Sequence, residues 1–166
     1  MEVRRLRADE TDSWRNLRLR MLSDAPSAFG ATHADALATP ADEWARRVEA
    51  FAAGETSVVY VAAEDGQFIG SAGAFLDPED HDRPHLWGMW VAPAARRQGV
   101  GRALVEAVAE WARSRGFTSI RLFVVGDNEN AAALYLQCGF ERTGNTMPLP
   151  REPSVLEIEM RRDLRR

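Results

Sequence analysis

Apolar residues recur along this chain with two alternating periods, and the alternation sets out its elements in order. Residues 2–7 alternate weakly, as an opening strand does, and residues 9–24 carry Leu17, Met21 and Leu22 on one side at helical spacing. Residues 24–30, with Pro26 and Gly30, break that pattern. A second helix starts at Pro40 with Asp42 and Glu43 in its first turn, presents Trp44, Val48 and Phe51 as its apolar stripe, and stops at Gly54. Residues 57–63 and 67–76 read as strands joined by Glu64-Asp65-Gly66, whose Asp-Gly pair suits a tight hairpin. The polar, proline-punctuated stretch 77–84 predicts a loop. Residues 86–91 are apolar without clean alternation, as in a central strand buried on both faces.

Beyond the central strand, apolar residues at 104, 105, 108, 111 and 112 mark a long amphipathic helix that starts near Val100 and closes at Gly116. Residues 118–125 form the next strand. A short helix ending at Gly139 carries Ala131, Leu134, Tyr135 and Cys138 on its apolar face, and 140–143 and 155–160 supply closing strands. Strands interleaved with helices predict an α/β domain with a mixed, twisted sheet. A length of 166 residues suits one domain, with 45% hydrophobic residues for its core.

Charge and composition narrow the function. A net charge of −4 speaks against a broad nucleic-acid interface, and no apolar run approaches the roughly 18 residues of a membrane span. With no apolar segment after Met1-Glu2-Val3-Arg4-Arg5, a cytoplasmic location is expected. Cys138 is the sole cysteine, which excludes an internal disulfide and a cysteine metal cluster; on an apolar stripe it reads as a buried, inert thiol. All 21 basic residues are arginine.

The arginines concentrate usefully at one turn. Arg96-Arg97-Gln98-Gly99-Val100-Gly101-Arg102 links the central strand to the long helix. Gly99 and Gly101 let backbone N–H groups approach an anion closely, and the helix start leaves about four N–H groups free, with a positive partial charge. A phosphate fits such a place, and Arg96, Arg97 and Arg102 add cations suited to a polyphosphate. The spacing Arg96-x-x-Gly99-x-Gly101 is neither the dinucleotide fingerprint nor the P-loop.

That turn resembles the pyrophosphate-binding motif of the GNAT superfamily of acyl-CoA-dependent N-acyltransferases. Asn128-x-x-Ala131-x-x-x-Tyr135, followed by Gly139-Phe140, is similar to the superfamily's second signature, and the two blocks stand in the same order. The resemblance covers about residues 86–140. It implies a three-layer fold whose sheet splays between the strands near 86–91 and 118–125, with an acetyl-CoA half at about 85–140, an acceptor half at about 1–84 and closing strands at 140–162. It also implies acetyl-CoA as cosubstrate, no metal, a small-molecule or peptide amine as acceptor, and direct attack of a primary amine on the thioester. No nucleic-acid or membrane partner is expected, and a homodimer is compatible with it.

By the same resemblance, the backbone of Met89, Trp90 and Val91 faces the pantetheine and the thioester carbonyl. Gln98 and Val100 belong to the phosphate turn, Asn128 reaches the pantetheine besides capping its helix, and Tyr135 stabilises the departing sulfur. Trp87 and Trp90 read as packing side chains. In ribosomal-protein N-terminal acetyltransferases of the superfamily a glutamate five residues before the motif asparagine is the base; here that place holds Phe123. His85 is then a weak catalytic candidate, with Glu43, His33 and His81 behind it. Without an efficient base the expected acceptor has a low-pKa amine: neutralising an α-amine of pKa about 7.8 at pH 7 costs about 1 kcal/mol, against about 4.6 for a lysine-type amine. Residues 26–30, 77–84 and 145–153 are expected to wall the acceptor pocket. The alternatives are a catalytically inactive acyl-CoA-binding regulatory module, which has no use for Tyr135, and a nucleotide-binding protein using the same turn.

Overall fold

A computed structural model describes residues 1–165. Seven strands form one sheet: β1 (Glu2–Arg5), β2 (Ser57–Glu64), β3 (Gln67–Asp77), β4 (Asp80–Val91), β5 (Ser119–Val125), β6 (Glu141–Leu149) and β7 (Glu152–Asp163), in the spatial order β1-β2-β3-β4-β5-β7-β6. Every neighbouring pair is antiparallel except β4 and β5, which run parallel. The helices are α1 (Thr11–Asp24), α2 (His33–Ala38), α3 (Ala41–Ala53), α4 (Val100–Ser114) and α5 (Glu129–Gln137).

The helices divide between the faces of the sheet, giving the three layers expected. Leu17 and Met21 of α1, Ala36 of α2, and Trp44 and Val48 of α3 are buried against Val59, Val61 and Trp90. On the other face Leu104, Val105 and Val108 of α4 and Tyr135 of α5 pack on Val58, Leu86, Leu122 and Met160. Each of the five apolar positions read at helical spacing in α4 is buried, because an apolar stripe gains from burial only where a sheet lies beneath it. At the β2–β3 hairpin Asp65 and Gly66 have φ of 50° and 77°, the paired positive angles of the tight turn that the Asp-Gly pair predicts.

The structure departs from the sequence reading, or adds to it, in four places. Residues 80–84 extend β4 instead of forming a loop: polar side chains at an exposed strand end give no apolar alternation to read. Residues 145–153 belong largely to the β6–β7 hairpin, for the same reason, since every residue of β6 before Leu149 is exposed. Helix α2, inside a stretch that carried no helical periodicity, is capped by the Thr32 hydroxyl oxygen, which accepts from the Asp35 amide at 3.1 Å. Finally, β4 is not buried on both faces along 86–91; only Leu86 and Trp90 are buried there, because β4 loses its neighbour at this end.

Candidate active site

The gap lies between the two parallel strands. Their ladder consists of one pairing, His85 with Arg121, after which β4 and β5 diverge. The cause sits in β4. Its register with β3 shifts between Ser71 and Gly73, Gly88 takes φ of 63°, and the Ser71 hydroxyl donates to the Gly88 carbonyl at 2.8 Å. Such a bulge bends its strand and increases local twist, which swings the segment Gly88–Val91 away from β5. This bulge places Met89 on the edge of β4 that has no pairing with β5.

The turn after β4 contains a short 3₁₀ segment, Pro93–Ala95, and then two residues of positive φ, Arg97 at 61° and Gly99 at 82°. For Arg97 that conformation costs about 1–2 kcal/mol, strain of the kind that collects at ligand sites. The first backbone bond of α4 runs from the Ala103 amide to the Gly99 carbonyl at 3.0 Å, and no side chain caps this helix. The N–H groups of Val100, Gly101 and Arg102 therefore have no hydrogen-bond partner among the described residues. A Cβ on Gly99 would meet nothing, so open space faces this helix start. Arg97 and Arg102 are exposed and form no ion pair among the described residues.

Two members of the expected phosphate set do other work. Arg96 donates from Nε to the Val91 carbonyl at 2.9 Å and from Nη2 to Asp24 at 2.6 Å, and Asp24 also accepts from the Trp90 indole at 2.9 Å. These bonds hold the Asp24 carboxyl below its usual range, the Trp90 bond most strongly. Arg96 thus ties the turn to β4 and α1, and Gln98 braces it through Nε2 to the Ala94 carbonyl at 3.1 Å. Gly101 is small for a reason other than ligand approach: a Cβ there would lie 2.9 Å from Met89 Cε and 3.1 Å from Leu134 Cδ2. That contact brings the β4 edge, the start of α4 and the helix α5 together.

Asn128 caps α5, its Oδ1 accepting from the Ala131 amide at 3.2 Å. Tyr135 is buried, its ring edge-on to Phe140 at 5.8 Å, and its hydroxyl makes no hydrogen bond to another described residue. Burial raises its pKa well above the usual phenol value. Cys138 is buried and its thiol is pushed up by the same cause, in keeping with an inert role.

On the α1–α3 side of the gap, His85 is stacked between Phe75 at 5.2 Å and Phe123 at 6.0 Å. Burial lowers its pKa although Asp77, 3.7 Å away, favours the charged form. Of the weaker candidates, Glu43 pairs with Arg47 of its own helix at 2.9 Å, His33 is exposed, and His81 is exposed at the far end of β4.

Two residues enter that sequence reasoning missed. Glu157 lies opposite Val125 in the β5–β7 register, on the face shared by Glu159 and Phe123. Glu159 is buried but satisfied: burial opposes its ionisation, while Thr143, Asn145 and Arg121 hold its pKa low. Glu157 is half-buried, has no hydrogen bond or ion pair among the described residues, and is raised by desolvation alone. Arg18, on the buried side of α1, is likewise unpaired. Both were legible as breaks in pattern: an arginine four residues after Trp14 on the stripe, and acids alternating with Leu156, Ile158 and Met160.

The fold is thus a seven-stranded mixed sheet parted between two parallel strands, with an uncapped helix start at the edge of the parting. Residues 14–140 match the Acetyltransferase (GNAT) family, and the chain belongs to it. It is 30% identical over 153 residues to an aminoglycoside N(6')-acetyltransferase type 1 of Stenotrophomonas maltophilia, covering 81% of this chain and all of that one. It is 34% identical over 101 residues to a mycothiol acetyltransferase of Rhodococcus jostii (strain RHA1), covering 58% of this chain and 33% of that protein. The chain spans 33–41% of the length of three of the curated relatives it matches. A putative acetyltransferase of Salmonella typhimurium, solved with acetyl-CoA, superposes with a TM-score of 0.81 at 18% identity over 100% of this chain and 95% of that one. No helix among the described residues is long and apolar enough to cross a membrane.

Proposed function

We propose that this protein transfers an acetyl group from acetyl-CoA to a primary amine of a small-molecule or peptide acceptor, by direct attack on the thioester. The observation that carries the reading is the meeting, at Gly101, of the unpartnered start of α4, the Met89 edge and the helix of Tyr135. The residues fit the carrier: free N–H groups and open space at Gly99, with Arg97 and Arg102 beside them, suit a pyrophosphate.

When bound, acetyl-CoA supplies the activated acyl group; the chain positions and neutralises. The N–H groups of Val100, Gly101 and Arg102 receive the phosphate charge. The open β4 edge at Met89, Trp90 and Val91 offers backbone to the pantetheine and to the carbonyl where charge develops, an effect worth about 3–4 kcal/mol per donor at other acyl-transfer sites. The acceptor nitrogen bonds to the acyl carbon as the carbon–sulfur bond breaks, and the ammonium proton passes to Glu157, which the β5–β7 register sets opposite Val125, four residues beyond the His85–Arg121 pairing. Its carboxylate, unpartnered among the described residues and with its pKa raised by burial, is a better base than an ordinary glutamate. The Tyr135 hydroxyl donates to the leaving sulfur; with its pKa raised, it stabilises the thiolate by hydrogen bonding more readily than by giving up its proton.

Initial rates with acetyl-CoA and an amine varied together test this. Free thiol appearing only with amine, and intersecting reciprocal plots, support direct transfer. Parallel plots with an acetylated protein contradict it, and acetyl-CoA binding without thiol release under any amine reduces the protein to a binding module.

A further inference from the structure

Arg18 is a cation without a counterion. Its Nη1 is enclosed and has no hydrogen-bond partner, and no carboxylate among the described residues pairs with it. The guanidinium lies between two rings, Phe29 at 5.4 Å and Trp87 at 5.5 Å, and Nη1 is 4.0 Å from where a Gly88 Cβ would stand. The charged neighbour that acts on it is another arginine, Arg47, and burial has drawn its pKa down to about 10. Burying an arginine without an anion costs several kcal/mol per ion, and the rings return only part of it. Of the fork, Nη1 alone is enclosed without a partner, and it is this atom that lies beside Gly88, one residue from Met89; Nε and Nη2 keep contact with solvent.

We propose that Arg18 is the acceptor subsite for a carboxylate, so that the acceptors are amines bearing a carboxylate, α-amino acids or a peptide with a nearby acidic group. The proposal rests on the acetyl-transfer reading for the amine and on Arg18 itself for the anion. A guanidinium binds a carboxylate through two parallel N–H bonds in one plane, and rings stacked on the guanidinium leave that plane's edge free for the anion. Arg18 on α1 and Glu157 on β7 lie on the same face of the sheet, so a zwitterion reaching between them would offer its carboxylate to one and its ammonium to the other. The same unpaired cation disfavours a polycationic acceptor such as an aminoglycoside.

The test compares wild type with Arg18→Met, which keeps the length and packing of the side chain. In a thermal-shift series, N-acetyl-amino acids should raise the melting temperature of wild type more than their amides do, and that difference should vanish in R18M. In turnover, kcat/KM should favour amino acids over matched amino-acid amides at least tenfold, after correction for the fraction of free amine, and the ratio should fall toward unity in R18M. R18M should fold and bind acetyl-CoA as wild type does. If R18M is unfolded, Arg18→Lys, which retains charge but not the fork, should weaken the carboxylate preference while folding normally. Equal shifts from acids and amides in wild type, or an unchanged preference in R18M, overturns the subsite. Carboxylate-specific shifts with no thiol release from any amine leave the subsite standing and remove the acetyl-transfer reading; thiol release without carboxylate preference does the reverse.

Discussion

His85 and Arg121 form the one pairing between β4 and β5, and the site proposed here occupies the opening that begins there. A parallel pair held at a single point gives a gap with rigid walls, because β3 holds β4 from behind and β7 holds β5. The gap is thus part of the sheet itself.

Gly99→Ala should raise the acetyl-CoA KM at least fivefold. The substitution places a methyl group in the open space facing the α4 start and strains a residue at φ of 82°. Gly116→Ala supplies the control, since Gly116 has φ of 86° and equally open surroundings at the other end of the same helix. Both variants should lose about 1 kcal/mol of stability, and only G99A should change KM. Equal KM values would remove the phosphate from this turn.

Tyr135→Phe should lower kcat at least tenfold with the acetyl-CoA KM unchanged. The hydroxyl has no hydrogen-bond partner among the described residues, so its removal leaves none of them unsatisfied and the melting temperature should hold or rise slightly. Turnover within twofold of wild type, with acyl transfer limiting, would make Tyr135 a packing residue.

Glu157→Gln should separate stability from activity. The folded-state pKa of Glu157 is raised, so between the unfolded value of about 4.3 and that raised value the folded chain binds more protons, and its stability falls as pH rises through the window. Glutamine removes that loss, so E157Q should melt higher than wild type at neutral pH while kcat/KM drops at least tenfold. The ionised carboxylate is the active form, so the low-pH limb set by Glu157 should disappear in E157Q and the limb set by the free amine should remain. His85→Gln should leave both limbs in place; loss of a limb there would transfer the base role to His85.

The fold was readable where burial was one-sided. The α4 stripe, the Asp65-Gly66 turn and the Gly54 stop each state their geometry in the identity of a few neighbouring residues. The ends of β4 and β6 were not readable, because exposed strand residues obey no alternation. In the site, the glycine turn and Asn128–Tyr135 were legible as motifs, yet the division of labour within the turn was not. Arg96, Arg97 and Arg102 are equivalent in sequence; only the fold shows Asp24 and the Val91 carbonyl already holding Arg96. The roles of Arg18 and Glu157 depend on the absence of partners, which is a property of the folded chain.

Asp24→Asn should loosen the turn without abolishing binding. Asp24 gains from the Trp90 and Arg96 bonds as a carboxylate, so its contribution is present above an unfolded pKa of about 3.9 and is lost as pH falls through its depressed folded value. With Asp24 and Arg96 both partly exposed the loss should be about 0.5–1 kcal/mol at pH 7, seen in urea melts. The difference from wild type should close at low pH; a difference constant with pH would assign it to packing.

A crystal structure of the protein with acetyl-CoA tests the central claim most directly. It should show the pyrophosphate on the N–H groups from Gly99 to Arg102, the pantetheine between β4 and β5, and the acetyl group beside Met89 with Tyr135 at the sulfur. Acetyl-CoA bound elsewhere, for instance in the shallow groove of about 530 Å³ lined by Arg20, Asp24, His33 and Trp90, with the β4–β5 gap empty, would contradict it.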